Sequence, residues 1–162
     1  MSECHNEILM NIPDEDLEQL ADMCPEEVEI RKLDTSHSNT VNLPWPQKFP
    51  NSEEYVSSLI ETNEGYGLFL KSTDELVSWV VKTGLGQLGI VQTEKDHTKK
   101  GYACIVTKLL SKKIAEEDEN PTGTIAVTNI ASQNMFRKLG FEKKGMCNYI
   151  TLEKMNCCYI IK

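Results

Sequence analysis

At 162 residues the chain is long enough for one domain with a single hydrophobic core. Its 40% hydrophobic and 26% charged residues argue against disorder, and a net charge of −8 disfavours nucleic acid or an anionic membrane surface as a partner. No apolar run reaches the roughly 18 residues of a membrane-spanning helix, and the acidic N-terminus has no secretory or transit character, so a cytoplasmic protein with reduced thiols is expected.

Residues 1–27 are acidic and short of apolar periodicity, and read as an N-terminal appendage or the tail of a longer ancestor's preceding domain. Within them Asp14 to Met23 can form a short helix, with Leu17, Leu20 and Ala21 on one side and Pro13 at its start. Residues 28–162 form the expected domain. Val28–Leu33 alternates apolar and charged residues, as a half-buried strand does. Asp34–Val41 carries helix-start residues and stops at LPWPQKFP, whose prolines make a rigid extended turn bearing Trp45 and Phe49. Those aromatics either lid the core or cover a substrate pocket.

Asn51–Glu61 predicts a helix, with Ser52 as N-cap and Tyr55, Val56, Leu59 and Ile60 on one face. Gly67–Lys71 and Glu75–Lys82, joined through Ser72-Thr73-Asp74, predict a hairpin, and Gln87–Thr93 adds a further antiparallel strand, the fourth. The spacing Gly84-Leu85-Gly86-Gln87-Leu88-Gly89 matches a dinucleotide fingerprint, but that fingerprint must open a helix and here the chain continues as strand. Gly89 inside the strand marks a bulge or a close approach.

The stretch Gly86 to Glu116 predicts a strand, a basic loop with glycine, and an amphipathic helix from Gly101 to Ala115. A helix N-terminus reached through glycine offers unpaired N–H groups and a positive dipole end to a phosphate. Ile105, Leu109, Val106, Leu110 and Ile114 form its apolar rows, with Lys108, Ser111, Lys112 and Lys113 towards water. The acidic run Glu116–Glu119 ends the helix as a solvated loop. Thr124–Val127 reads as a buried parallel strand, the fifth. Asn129 caps a second helix with Ala131, Met135, Phe136 and Leu139 inward and Gly140 as its stop. Phe141–Lys144 and Cys147–Glu153 close the chain as a strand pair around Gly145. The sum is an α/β (α+β) domain: a mixed, mostly antiparallel sheet of about seven strands with helices on both faces. Six cysteines without a C-x-x-C pair and only three histidines give no zinc spacing, so no metal is expected. Cys157 and Cys158 read as small apolar residues of a terminal strand.

Leu88–Ala103 together with Asn129–Phe141 (NIASQNMFRKLGF) resembles the two signature motifs of the GNAT superfamily of N-acetyltransferases. Thr98-Lys99-Lys100-Gly101-Tyr102-Ala103 stands where that family has Q/R-x-x-G-x-G/A. VNLPWPQKFPNSEEYVSSLIE and ELVSWVV are similar to the glycine N-acyltransferase-like branch, and the resemblance spans roughly Val28 to Glu153. It implies binding of acetyl-CoA or another acyl-CoA as co-substrate, with a small-molecule amine or amino acid as acceptor. The backbone N–H groups of Lys99, Lys100, Gly101, Tyr102, Ala103 and Cys104 would cradle the pyrophosphate, with Thr98 opening the motif. Main-chain groups of Val91, Gln92 and Thr93 would pair with the pantetheine arm where the fourth and fifth strands splay. Asn129 and Ser132 would contact the cofactor from the second helix, and Trp45 the substrate.

The proton-transfer positions depart from the family. Acyl transfer needs a deprotonated amine and a protonated leaving thiolate. Gln87 stands where the branch often has an acid on the fourth strand, and an amide has no useful basicity. Phe136 stands where many members have a tyrosine as thiol acid. Glu94 and Tyr149 are the candidate substitutes, while His97 is expected to be merely solvated. Three readings follow: an acyl-CoA-dependent N-acyltransferase acting by direct attack, a degenerate member that binds CoA or a protein partner without turnover, and a protein N-acetyltransferase, which the Trp45 loop disfavours.

Overall fold

The computed structural model describes residues 3–11, 24–151 and 158–161. Its strands are β1 (Glu3–Asn11), β2 (Val28–Lys32), β3 (Gly65–Leu70), β4 (Leu76–Lys82), β5 (Leu88–Thr93), β6 (Thr122–Ala126), β7 (Glu142–Thr151) and β8 (Cys158–Ile161). Its helices are α1 (Ser38–Asn42), α2 (Ser52–Asn63), α3 (Tyr102–Glu116) and α4 (Ile130–Lys138). The expected mixed, mostly antiparallel sheet is present and, among the described residues, has eight strands where about seven were expected, in the order β2-β3-β4-β5-β6-β1-β7-β8. The predicted helix over Asp14 to Met23 lies outside the described residues apart from its surroundings at Cys24.

Two apolar clusters cover opposite faces of this sheet. Val41 of α1 and Val56, Leu59 and Ile60 of α2 pack on Leu33, Phe69, Trp79 and Val81. Val106, Leu110 and Ile114 of α3 and Phe136 of α4 pack on Val28, Leu68, Val80, Leu88 and Ile125. Each such side chain contributes about 1.5–3 kcal/mol when fully buried, so the amphipathic helices are held mainly by the sheet and not by their own propensity.

Five local readings change in the folded chain. Glu3–Asn11, expected within an appendage, is an inner strand between β6 and β7, with Ile8 and Met10 buried beside Ile125. Its acidic sequence carries no strand signal because two flanking partners, both distant in sequence, define it. The expected strand pair around Gly145 is one long β7. It pairs with β1 from Thr151 to Glu142, and the odd residue is absorbed as a bulge opposite Leu9/Met10, so no hairpin turn is needed. Ser52 is not the N-cap of α2: Asn51 is, in a left-handed conformation, and the Ser52 hydroxyl donates to Asn42 Oδ1 at 2.7 Å. Ser111, expected towards water, is fully buried and donates to the Thr107 carbonyl at 2.7 Å. The acidic run after α3 is likewise anchored, with Glu117 and Glu119 paired to Lys82 at 2.5 and 3.4 Å.

Candidate acyl-CoA site

The site grows from one extra residue. Trp79 pairs with Gln92 and Val81 with Gly89, so Ile90 and Val91 both lie opposite Val80. Ile90 takes φ 49°, a conformation that β-branched residues avoid. Such a bulge bends and twists a strand. Gly89 permits it by close approach, because a Cβ there would stand 2.4 Å from Thr83 Cγ2. β5 and β6 run parallel and pair at Leu88↔Gly123; no further pair between them is present among the described residues. The two strands therefore part towards their C-terminal ends.

Main-chain groups in a strand alternate between its edges. The Ser78 hydroxyl donates to the Gln92 carbonyl at 3.0 Å and shares a 2.8 Å hydrogen bond with Thr93 Oγ1. The Glu94 N–H donates to Val77 at 2.8 Å. Gln92 is thus turned towards β4, whereas Val91 and Thr93 turn their main-chain groups towards the gap. Of the three residues expected on the pantetheine arm, Gln92 is displaced from the role by this alternation.

Beyond β5 the chain makes a 3-10 turn, Lys95–His97, closed by the Thr98 hydroxyl donating to the Lys95 carbonyl at 3.1 Å. Lys99 and Gly101 then take φ 63° and 83° and swing the backbone into α3. Gly101 is the N-cap of α3, with no side chain capping it, and a Cβ added there would meet nothing within 4 Å. The first N–H groups of the helix, on Tyr102, Ala103 and Cys104, have no partner within the helix and sit at the positive end of its dipole, next to the open space at Gly101. Lys99 and Lys100 are exposed beside them. His97 is half-buried, and Lys100 Nζ donates to its Nδ1 at 3.4 Å.

Tyr102 belongs to the expected loop by its backbone only. Its ring is 1% exposed, and its hydroxyl donates to Glu27 Oε1 at 2.8 Å, tying the start of α3 to the segment before β2. Burial, and then the bond to Glu27, push this phenol up from 10.0 to about 12, and the same bond holds the Glu27 carboxyl below its usual range. A raised tyrosine pKa means the unfolded chain loses its proton first, so this contribution to stability is present at neutral pH and is lost as pH rises from 10 towards 12. Denaturation of Tyr102→Phe should accordingly lose less stability than the parent over that alkaline window.

The partner wall is β6 and the start of α4. Asn129 Oδ1 accepts the Ser132 N–H at 3.1 Å, as the N-cap expectation required, so that oxygen and that N–H serve the helix. Gln133, a residue the sequence does not single out, is buried and donates through Nε2 to the carbonyls of Ala126 and Val127 at 3.3 and 2.9 Å. It locks the β6–α4 turn. Because β5 and β6 are parallel, the N-termini of α3 and α4 stand at the same end of the gap, the crevice position at which open α/β sheets hold ligands.

Of the candidate proton-transfer positions, Gln87, Phe136 and Tyr149 lie towards the closed end of the gap and Glu94 does not. Gln87 is half-buried one residue before the Leu88↔Gly123 pair, its N–H donating to Thr83 Oγ1 at 3.3 Å. Phe136 lies against Gly123, where a Cβ would stand 2.9 Å from its ring, and meets Phe141 edge-on at 4.9 Å. Glu94 is half-buried at the open end of β5, away from that closed end. Tyr149 reaches Thr124, the residue after Gly123, with 3.0 Å between the hydroxyls. Trp45 stacks on Tyr55 at 6.3 Å, meets Phe49 at 6.2 Å, and packs, like Ile90, on the Trp79 cluster. A wide depression of about 1010 Å³ lies elsewhere, along Lys48, Phe49 and the outer residues of α2. Among the described residues no His, Cys, Asp or Glu group is arranged to hold a metal, and no helix is long and apolar enough to cross a membrane.

The whole fold is shared with solved structures. A Drosophila protein has 25% identity and a TM-score of 0.84, matched over 97% of this chain and 53% of its own. A putative GNAT-family acetyltransferase from Novosphingobium aromaticivorans (13% identity, TM-score 0.66, 90% and 63% covered) and a GCN5-related N-acetyltransferase-like protein from Streptococcus suis (17%, 0.65, 91% and 61%) share it too. The chain thus spans between half and two thirds of the length of these structures. No curated protein matches its sequence. The description of FR47-like proteins matches residues 65–150, the segment that holds the bulge, the loop and both walls of the gap. The chain has a GNAT fold and belongs to the FR47-like family.

Proposed function

We propose that the chain is an acyl-CoA-dependent N-acyltransferase, with acetyl-CoA as its co-substrate and a small-molecule amine or amino acid as acceptor. The observation that carries this reading is the parting of β5 from β6 beyond Leu88↔Gly123, with the uncapped start of α3 at its mouth. The open space at Gly101 fits a pyrophosphate, and the outward-turned main chain of Val91 and Thr93 fits the amides of a pantetheine arm. Lys99 and Lys100 add positive charge locally to an otherwise acidic protein. The acyl carbon would then lie near Leu88 and Gly123, where Gln87 can orient an amine or a bridging water without taking its proton. Trp45, which packs with Ile90 on the Trp79 cluster, is the candidate acceptor contact, its loop being read as a cover over the substrate pocket. Holding amine and thioester together supplies several kcal/mol of barrier lowering by itself.

A second reading, a binder of CoA without turnover, is favoured by two observations: the amide of Gln87 and the hydroxyl-free ring of Phe136. Titration calorimetry with acetyl-CoA and CoA, followed by free-thiol release across a panel of small amines, separates the two. The transferase reading expects binding and amine-dependent thiol release. Binding without such release leaves the second reading, and no binding at millimolar CoA removes both.

A further inference from the structure

We propose that Tyr149, held in place by Thr124, delivers the proton to the sulfur of the leaving CoA; this rests on the acyl-CoA reading above. Side chains alternate between the faces of a strand. On β6, Gly123 lies against Phe136 and Ile125 is buried in the cluster of α3 and α4. Thr124 between them faces the opposite side of the sheet. The register agrees: Thr124 pairs with Leu9, while the neighbouring Ile8 and Met10 are buried with Ile125. Tyr149 shares this side, pairing along β1 with His5, and its hydroxyl stands 3.0 Å from that of Thr124.

This places a phenol next to the closed end of the gap. Gly123 is the last β6 residue paired with β5, and Thr124 is the first beyond it. A pantetheine arm that enters at Lys99–Cys104 and runs past Thr93 and Val91 brings its sulfur to that end. The ring that faces it from α4, Phe136, has no proton to give. Tyr149 comes from a different strand and from the other face of the sheet, and Tyr149 is half-buried, which keeps its hydroxyl partly out of water.

The step balances as follows. The amine nitrogen bonds to the thioester carbonyl carbon, the C–S bond breaks with its electron pair on sulfur, and the Tyr149 proton passes to that sulfur. The Thr124 hydroxyl donates to the phenolate oxygen left behind. The surplus amine proton goes to water, and water returns a proton to Tyr149. Tyr149 is the catalytic residue in this scheme and Thr124 a positioning residue.

The test needs no knowledge of the acceptor. Ionisation of the CoA thiol bound to the protein is followed by thiolate ultraviolet absorbance, as the difference between the CoA and desulfo-CoA complexes, so that the protein's own cysteines cancel. A hydroxyl donor at the sulfur favours the thiolate. Roughly tenfold less thiolate is therefore expected at a fixed pH in Tyr149→Phe and Thr124→Val than in the parent, with Thr124→Ser restoring the parent value. Calorimetry on the same samples establishes that each variant is saturated with CoA when the absorbance is read. Equal thiolate fractions in all four proteins overturn the proposal and leave CoA binding standing. Failure of the parent to bind CoA overturns the acyl-CoA reading and this proposal with it. If Thr124→Val fails to fold, Tyr149→Phe against the parent decides the matter.

Discussion

Gly101→Asp is expected to weaken CoA binding on the order of 100-fold, about 2.7 kcal/mol. The position has φ 83° and open space around the missing Cβ, so the substitution displaces no neighbour. It costs about 1–2 kcal/mol of backbone strain, which any residue with a Cβ would incur there. The carboxylate acts with opposite signs on fold and ligand. Beside the N-terminus of α3 it interacts favourably with the helix dipole, while the same charge repels a pyrophosphate. Thermal melting should therefore move little while calorimetric affinity collapses. Gly101→Asn, with the same shape and strain and no charge, should keep most of the affinity. Equal binding by the Gly and Asp proteins would remove the pyrophosphate from this loop.

Trp79→Ala should cost about 3–5 kcal/mol of stability, read as the shift of the urea unfolding midpoint. Trp79 is fully buried at the centre of the cluster that joins α1 and α2 to the sheet, and it pairs with Gln92 beside the bulge. Against a usual total of about 5–15 kcal/mol this is a large share. Trp79→Phe should lose markedly less than its volume suggests. The indole Nε1 is buried without a hydrogen-bond partner among the described residues, and an unpaired buried donor costs about 1–3 kcal/mol that phenylalanine does not incur. Both variants should also loosen CoA binding, since Trp79 sets the register from which Ile90 bulges.

Much of the scaffold could be read directly. The hairpin of β3 and β4 follows from alternation around Ser72-Thr73-Asp74, and α3 and α4 follow from apolar rows ending at recognisable stops. Asn129 was legible as a cap because its side chain acts within one turn. The false dinucleotide fingerprint was separable for the same reason, since Leu88–Thr93 continues as strand. Local patterns failed where the partner is remote. Ser111 sits at a helix position indistinguishable from a surface one, yet the sheet covers it. Gln133 looks like any exposed helical glutamine until the carbonyls of Ala126 and Val127 are brought to it. Glu3–Asn11 has no strand signature because its place depends on β6 and β7, more than a hundred residues away.

The candidate site divides in the same manner. The residues of Gly86–Glu116 alone pointed to a strand, a glycine-containing basic loop and a helix start able to hold a phosphate, because these act through neighbours in the chain. The family resemblance narrowed that expectation to Lys99–Cys104. Gly89 likewise announced an irregular strand. Which residue carries the irregularity was settled by pairing: Ile90, not Gly89, takes the left-handed conformation, because Val81 claims Gly89 and Trp79 claims Gln92. The same pairing turned Gln92 away from the gap. Helix packing and Glu27 withdrew Tyr102 into the core, and the pairing of β1 with β6 and β7 brought Tyr149 to Thr124 across an intervening strand. Short-range chemistry is written in consecutive residues; contacts between strands far apart in sequence arise only when burial of both sheet faces selects a single register.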